Sequence, residues 1–205
     1  MLLNQEYKIT YAKPLHINEM MEIANSNLID NKLNYEENIQ KCGFLITNPA
    51  REIWQEIVAA NDKSLALIAK LPKNNAKDMA DDNIAKEHII GYLTGFTIDK
   101  TEMRFQEKVL FLLERQNVKD LTAKKDIFYY SQIAKRQNYY NVGKGLVLSM
   151  FEELRKRKIS IIICRIIHGP IKNEKSISFH QKLGFYCIGD VDYNNYQIGI
   201  YFKKL

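Results

Sequence analysis

Gly143 and Gly145 stand two residues apart in "NYYNVGKGLVLSMFEELRKRK" (138–158), directly ahead of an amphipathic run. A helix that starts there leaves its first N–H groups unpaired and carries about half a positive charge. Glycine lets backbone come close to whatever faces it. The pair therefore has two readings: a tight strand-to-helix bend, or a seat for an anion such as a pyrophosphate. The candidate acid–base groups are His180, in "NEKSISFHQKLGF" (173–185), and His168, in "HGPIKN" (168–173). An imidazole titrates near neutrality, but each also has a plain reading, His180 as a structural residue of a helix and His168 as part of a loop. Two nucleotide motifs are excluded. A dinucleotide fingerprint needs a third Gly at position 148, which is Leu, and an acidic end to the next strand, which reads "RIIHG"; no G-x-x-x-x-G-K-[ST] run occurs.

The elements that must position these residues follow from periodicity. "YKITYA" (7–12) alternates like a strand, and Ile17, Met20, Met21, Ala24 and Leu28 recur at helical spacing behind Pro14. "NYEENIQK" (34–41) is a short helical candidate and "GFLI" (43–46) an apolar run. Asn48 and Pro49 have the residue types of an N-cap and first helical position for "PAREIWQEIVAAN". Trp54, among Ile53, Ile57 and Val58, reads as core or as a wall of an acceptor pocket. "SLALIAKL" (64–71) and "HIIGYLTGF" (88–96) are strands joined by the polar loop 72–87. A helical insert at about 99–120 carries Phe105, Val109, Leu112 and Leu113. "DIFYYSQIA" (126–134), the helix behind Gly145 and "ISIIICRII" (159–167) then make a βαβ unit. Its second strand is apolar on both faces, as in a covered sheet. A short helix (173–183) ended by Gly184 and two strands, "FYCIGD" and "YQIGIYFKKL", close the chain.

The chain has 205 residues, 46% hydrophobic and 26% charged, which suits one globular domain spanning 1–205. Its net charge is +6 and its pI about 9.0, which favours anionic partners. The basic cluster "RKRK" (155–158) closes a helix, where cations complement the dipole, and lacks the aromatic interleaving of a nucleic-acid surface. Cys42, Cys164 and Cys187 are far apart with no C-x-x-C pair, which implies reduced thiols and no metal site. With no signal-like start and no apolar run of membrane length, the expectation is a cytoplasmic protein with no membrane partner.

Two stretches carry a family resemblance. "QIAKRQNYYNVGKGLVLSMFEEL" (132–154) resembles motif A of the GNAT superfamily of N-acetyltransferases, a hydrophobic–Ala–hydrophobic strand end followed by R/Q-x-x-G-x-G/A and a helix. "NEKSISFHQKLGF" is similar to the family's second signature, N-x-x-S-x-x-F-[Y/H]-x-K-L-G-F. "IIGYLTGF" resembles the strand where these proteins carry an exposed Gly. The resemblance implies a mixed α+β fold of the α/β class: a twisted, mostly antiparallel sheet, flanked by helices and splayed between its fourth and fifth strands, here 126–134 and 159–167. It implies acetyl-CoA as co-substrate and no metal. Amides from Asn141 through Val142, Gly143, Lys144 and Gly145 to Leu146 would hold the pyrophosphate. The strand end Ile133, Ala134, Lys135 would pair with the pantetheine arm, with Asn173 and Ser176 beside it and Phe179 beneath the acetyl end.

The sequence departs from the family pattern at Tyr140, where Arg or Gln is usual, and at Asn141, where Gly is common. Asn tolerates left-handed backbone better than most residues. Acetyl transfer needs a neutral amine, a donor to the thioester carbonyl, expected near Lys135, and a proton for the departing thiolate. His180 stands where many members place the Tyr that supplies that proton. The fourth strand offers Tyr129, Tyr130, Ser131 and Gln132 where many members carry a carboxylate. The resulting expectation is N-acetylation of a primary amine on a small molecule, amino-acid derivative or peptide N-terminus. The alternative is a catalytically weak acyl-CoA-binding module or regulatory subunit, and a homodimer is left open.

Overall fold

Runs of β-branched and aromatic residues form the strands, and apolar residues at three- and four-residue spacing form the helices. The structure is a computed structural model that describes residues 6–28, 43–45, 47–59, 62–72, 88–116, 126–193 and 195–205. Strand β1 (Lys8–Tyr11) leads through a 3-10 turn into helix α1 (Ile17–Ser26), and α2 (Arg51–Val58) precedes strands β2 (Ser64–Lys70) and β3 (Ile89–Thr97). Helix α3 (Met103–Arg115) comes before β4 (Ile127–Lys135), α4 (Val142–Lys156) and β5 (Ile161–Gly169). Then follow α5 (Glu174–Lys182), β6 (Tyr186–Tyr193) and β7 (Tyr196–Lys204). The strands make one seven-stranded sheet in the order β1-β2-β3-β4-β5-β7-β6. All neighbours are antiparallel except β4 and β5.

Each face of the sheet buries a different set of helices. Leu146, Val147, Met150 and Leu154 of α4, with Ile177 of α5, pack on Leu65, Leu67, Leu93, Phe128 and Ile162. On the other face, α1 and α2 cover β2 and β3 through Met20, Ile23, Trp54 and Ile57 against Ile68 and Tyr92. Alongside them, α3 covers the far half through Val109, Leu112 and Leu113 against Ile127, Ile163 and Ile200. The hydrophobic spacing of α3 thus marks a core-facing stripe, and Trp54 is fully buried, with its ring edge-on to Tyr92 at 5.2 Å.

Several local expectations change. α2 begins at Arg51, with Ala50 at the N-cap. Asn48 instead accepts a hydrogen bond from Trp54 Nε1 at 3.0 Å and donates to Met21 O, so it anchors the buried indole to α1. Leu28 lies beyond α1, in a bridge to Leu45. Gly91 and Gly95 are buried rather than exposed. His168 belongs to β5, not to a loop; its Nδ1 lies 2.7 Å from Asp190 and its Nε2 3.1 Å from the Tyr201 hydroxyl. In the basic cluster, Arg157 pairs with Glu153 and donates to Ser64 O at 2.8 Å, tying the end of α4 to β2. The helical candidate at 34–41, Cys42 and most of the loop 72–87 lie outside the described residues.

A register irregularity shapes the sheet where it will matter. Thr94 faces Gln132 and Gly95 faces Tyr130, so β4 spends one extra residue, Ser131, in a bulge. Gly95 makes room for it: an added Cβ would press on the Phe128 ring and come within 2.6 Å of Tyr129 O. Gly95→Ala should therefore cost roughly 1–3 kcal/mol of stability by overpacking, read as a lowered denaturant midpoint with unchanged slope. Wild-type stability in this variant would show that β4 has slack at the bulge.

Candidate active site

The parallel pairing of β4 and β5 runs from Ile127–Ile161 to Tyr130–Cys164 and stops. Beyond that pair the strands part. Gln132 to Lys135 keep β3 on one side, and among the described residues no strand pairs with Ser131 to Lys135 on the other. A cleft of about 500 Å³ occupies the gap, within the usual range for a ligand site. Its walls include Ser131 to Lys135 of β4, Cys164 to Ile167 of β5, Gly143 of α4 and Asn173, Ser176, Phe179 and His180 of α5.

The N-terminus of α4 opens onto this cleft. Asn141 sits ahead of the helix with φ 62°, in the left-handed region, which Asn accepts. The Gly145 amide already donates to Asn141 O at 3.0 Å, and Leu146 lies one residue further into the helix with its side chain in the core. The amides free by helix geometry are thus those of Val142, Gly143 and Lys144, a shorter set than Asn141 to Leu146. The two glycines also separate in role. Gly143 faces the cleft, where an added Cβ would lie 3.5 Å from Phe179 and 3.6 Å from Ile133. Gly145 instead accommodates Tyr7, whose hydroxyl donates to Asn141 O at 3.1 Å and fixes the loop to the strand end at β1. Lys144 is exposed, as is Tyr140, whose ring lies 5.7 Å from Lys135 Nζ.

On α5, Asn173 is an N-cap. Its Oδ1 accepts from Ser176 N at 3.1 Å and its Nδ2 donates to Phe44 O at 3.2 Å. The Asn173 amide is therefore engaged by protein groups while its side chain lines the cleft. Phe179 lies against Gly143 and Ile133, toward the α4 end. His180 is buried at the other end, its ring 5.5 Å from that of Tyr130 and its Nδ1 2.7 Å from Ser176 O. A carbonyl only accepts, so Nδ1 carries the proton and Nε2 keeps its lone pair. Burial holds the His180 pKa down at about 4, with the Ser176 carbonyl pulling the other way. At neutral pH the ring is uncharged, so the acid role expected of it does not fit this environment.

Tyr130 presents the opposite case. Its hydroxyl is buried without a hydrogen-bond partner among the described residues, and burial raises its pKa well above the ordinary value, keeping the phenol protonated. A buried hydroxyl left unpaired costs about 1–3 kcal/mol, so the Tyr130 hydroxyl has a donor to offer a group that enters the cleft. Tyr129 points to the other face and accepts from Arg165 Nε at 2.5 Å.

Two contributors had little signal in the sequence. Asn27, just past α1, donates from Nδ2 to Lys135 O at 3.1 Å across the chain. Arg165 lines the cleft beside Tyr193 and Tyr196. Its only signal is a lone cation inside the apolar run "IIICRII".

No protein-family profile matches the chain, and no curated protein sequence matches it significantly. Solved structures do. The chain is similar to Arabidopsis thaliana NAA60 in complex with acetyl-CoA, at TM-score 0.66 and 10% identity over 98% of this chain and 99% of that one. It is similar to the ribosomal-protein-alanine N-acetyltransferase of Brucella melitensis, at TM-score 0.58 and 15% identity over 97% and 99%. A GNAT-family acetyltransferase of Streptococcus pneumoniae gives TM-score 0.58 and 16% identity over 98% and 100%. Identities this low speak for architecture alone, and that architecture, with its parallel β4–β5 pair inside an otherwise antiparallel sheet, is the GNAT N-acetyltransferase fold.

Proposed function

We propose that the protein is an acetyl-CoA-dependent N-acetyltransferase that acts on a primary amine. The observation that carries the reading is the open edge of β4, which among the described residues runs without a strand partner from the bulge at Ser131 toward the free amides of α4. The residues present fit acetyl-CoA on three counts. The first turn of α4 holds no acidic residue, Gly143 leaves its cleft side bare, and the Tyr130 hydroxyl lacks a partner at the closed end. Bound acetyl-CoA supplies an activated thioester.

Around it each residue has a physical task. The amides of Val142, Gly143 and Lys144, backed by the helix dipole, face the pyrophosphate charge. The edge at Ile133 and Ala134 lies along the pantetheine arm, with Ser176 and Phe179 across the cleft. A bulge frees backbone amides from the ladder, so Ser131–Gln132 offers N–H donors for the thioester carbonyl beside the expected one near Lys135; the Asn27 bond takes up only the Lys135 carbonyl, an acceptor. The Tyr130 hydroxyl, buried without a partner among the described residues, can donate a hydrogen bond to the departing thiolate, and the His180 ring lies 5.5 Å away with Nε2 as an acceptor. The second reading, an acyl-CoA-binding module with weak turnover, draws on one observation: among the described residues no Asp or Glu lines the cleft. Thiol release above the hydrolysis background with a panel of amines supports the transferase. Tight acetyl-CoA binding with silence across the panel supports the module.

Three outcomes follow from this assignment. Gly143→Val should keep the circular dichroism spectrum and lose roughly 100-fold or more in acetyl-CoA affinity, because its side chain takes the space facing Phe179 and Ile133; unchanged affinity in calorimetry would remove α4 from the site. Tyr130→Phe should lower kcat by roughly 100-fold with acetyl-CoA affinity intact, while stability holds or rises because an orphaned hydroxyl is gone. Equal kcat would return Tyr130 to packing.

The third concerns pH. The folded pKa of His180 lies at about 4, below its ordinary 6.5, so between those values the unfolded chain binds a proton that the folded chain excludes. Stability from this group is therefore full above about pH 6.5 and falls as pH drops toward 4, by roughly 3 kcal/mol in all. Denaturation of wild type and His180→Asn across that window should show a shallower acid loss in the variant. Parallel curves would contradict the buried neutral ring.

A further inference from the structure

Among the described residues, the charged groups along the cleft are all positive. Lys135, Arg165 and Lys175 line it, and no Asp or Glu does among the described residues. Lys135 bonds to the carbonyls of Arg136 and Gln137 and reaches toward the Tyr140 ring, at the α4 end, and Lys175 belongs to the first turn of α5. Arg165 stands apart from both on the opposite face of the sheet.

Its setting is built. The guanidinium carbon lies 4.9, 5.1 and 5.4 Å from the ring centroids of Phe105, Tyr129 and Tyr193, and Nε donates to the Tyr129 hydroxyl. Each aromatic contact attracts the cation to the ring face. Among the described residues no carboxylate pairs with Arg165, and neither of its Nη groups has a hydrogen-bond partner. A planar fork held by rings, with its outer nitrogens open, matches a carboxylate bidentately without further loss of rotamer freedom.

Its position ties it to the reaction. Tyr130–Cys164 is the last pair before the strands part, so Arg165 is the first residue of β5 beyond the fork, as Ser131 is of β4. A polyamine or lysine-like acceptor would bring uncompensated positive charge against Arg165. An acceptor that carries its own carboxylate cancels that repulsion.

Resting on the transferase reading above, we propose that the acceptor is a small amino acid whose carboxylate is held by Arg165 while its amino group faces the bulge at Ser131. The test compares amino acids with the amines that lack their carboxylate, alanine with ethylamine and phenylalanine with phenethylamine, at saturating acetyl-CoA. The amino acids should be favoured by roughly 10- to 100-fold in kcat/KM. Arg165→Gln should erase the preference through KM and leave acetyl-CoA affinity unchanged. Equal rates within pairs, a preference that survives Arg165→Gln, or better acetylation of phosphoethanolamine or of a peptide amide would overturn the proposal. If nothing is acetylated, calorimetry on the CoA-loaded protein decides the two claims separately. Arg165-dependent binding of N-acetylalanine but not N-ethylacetamide keeps the carboxylate subsite and removes the transferase; binding of neither removes both.

Discussion

Between Tyr130 and Gln132 the fourth strand holds one more residue than its antiparallel neighbour can pair. That single surplus residue coincides with the last rung of the parallel ladder to β5, so the sheet loses continuity on one side of β4 while keeping it on the other. Everything that gives the molecule a site depends on this break. An uninterrupted sheet would bury the edge of β4 in hydrogen bonds to β5. The helices on both faces would then cover a flat surface, leaving His180, Tyr130 and Arg165 no space in common. The break is affordable because the outer parts of the sheet are fully paired: β1–β2–β3 on one side and β5–β7–β6 on the other each hold their own helices.

The break also divides labour between faces. On the α4–α5 face, the helix N-terminus, Phe179, Ser176 and His180 supply amides, apolar wall and a neutral ring, a setting for a long anionic ligand that reaches inward. On the other face, Arg165 with its three rings forms a short charged wall beside the β6–β7 hairpin. The surfaces meet only at the fork. Helix α3 reaches the site through Phe105 and otherwise serves as cover for β5, β6 and β7.

The order of elements was readable because the chain's periodicities agree with its burial: the stripe of α4, the stripe of α3 and the isoleucines of β5 each reappear as core contacts. The position of the α4 turn was readable from two glycines and a following amphipathic run. Their separate tasks were not. Gly145 answers to Tyr7, 138 positions upstream, a contact no local pattern can carry. Asn48 had the residue type of a cap and became an anchor for Trp54, because the indole N–H had to be satisfied once buried. The protonation of His180 depends on burial by its chain neighbours Phe179 and Phe185 and by Tyr130, which arrives from β4, about fifty positions upstream. Arg165 went unremarked inside a run that reads as apolar on both faces, because the rings that surround it come from α3, β4 and β6.

The bond from Asn27 to Lys135 O sets a length. By occupying the final carbonyl of β4 with the side chain of Asn27, just past α1, the protein caps that end of the edge, and among the described residues Ser131 to Ala134, about 13 Å of strand, stay without a strand beside them. An extended guest can lie there as a surrogate strand, but it cannot run on into an indefinite ladder. Asn27 thus works as a stop at the end of a ruler. It measures what may be added to the sheet and blunts an edge that would otherwise invite a second chain.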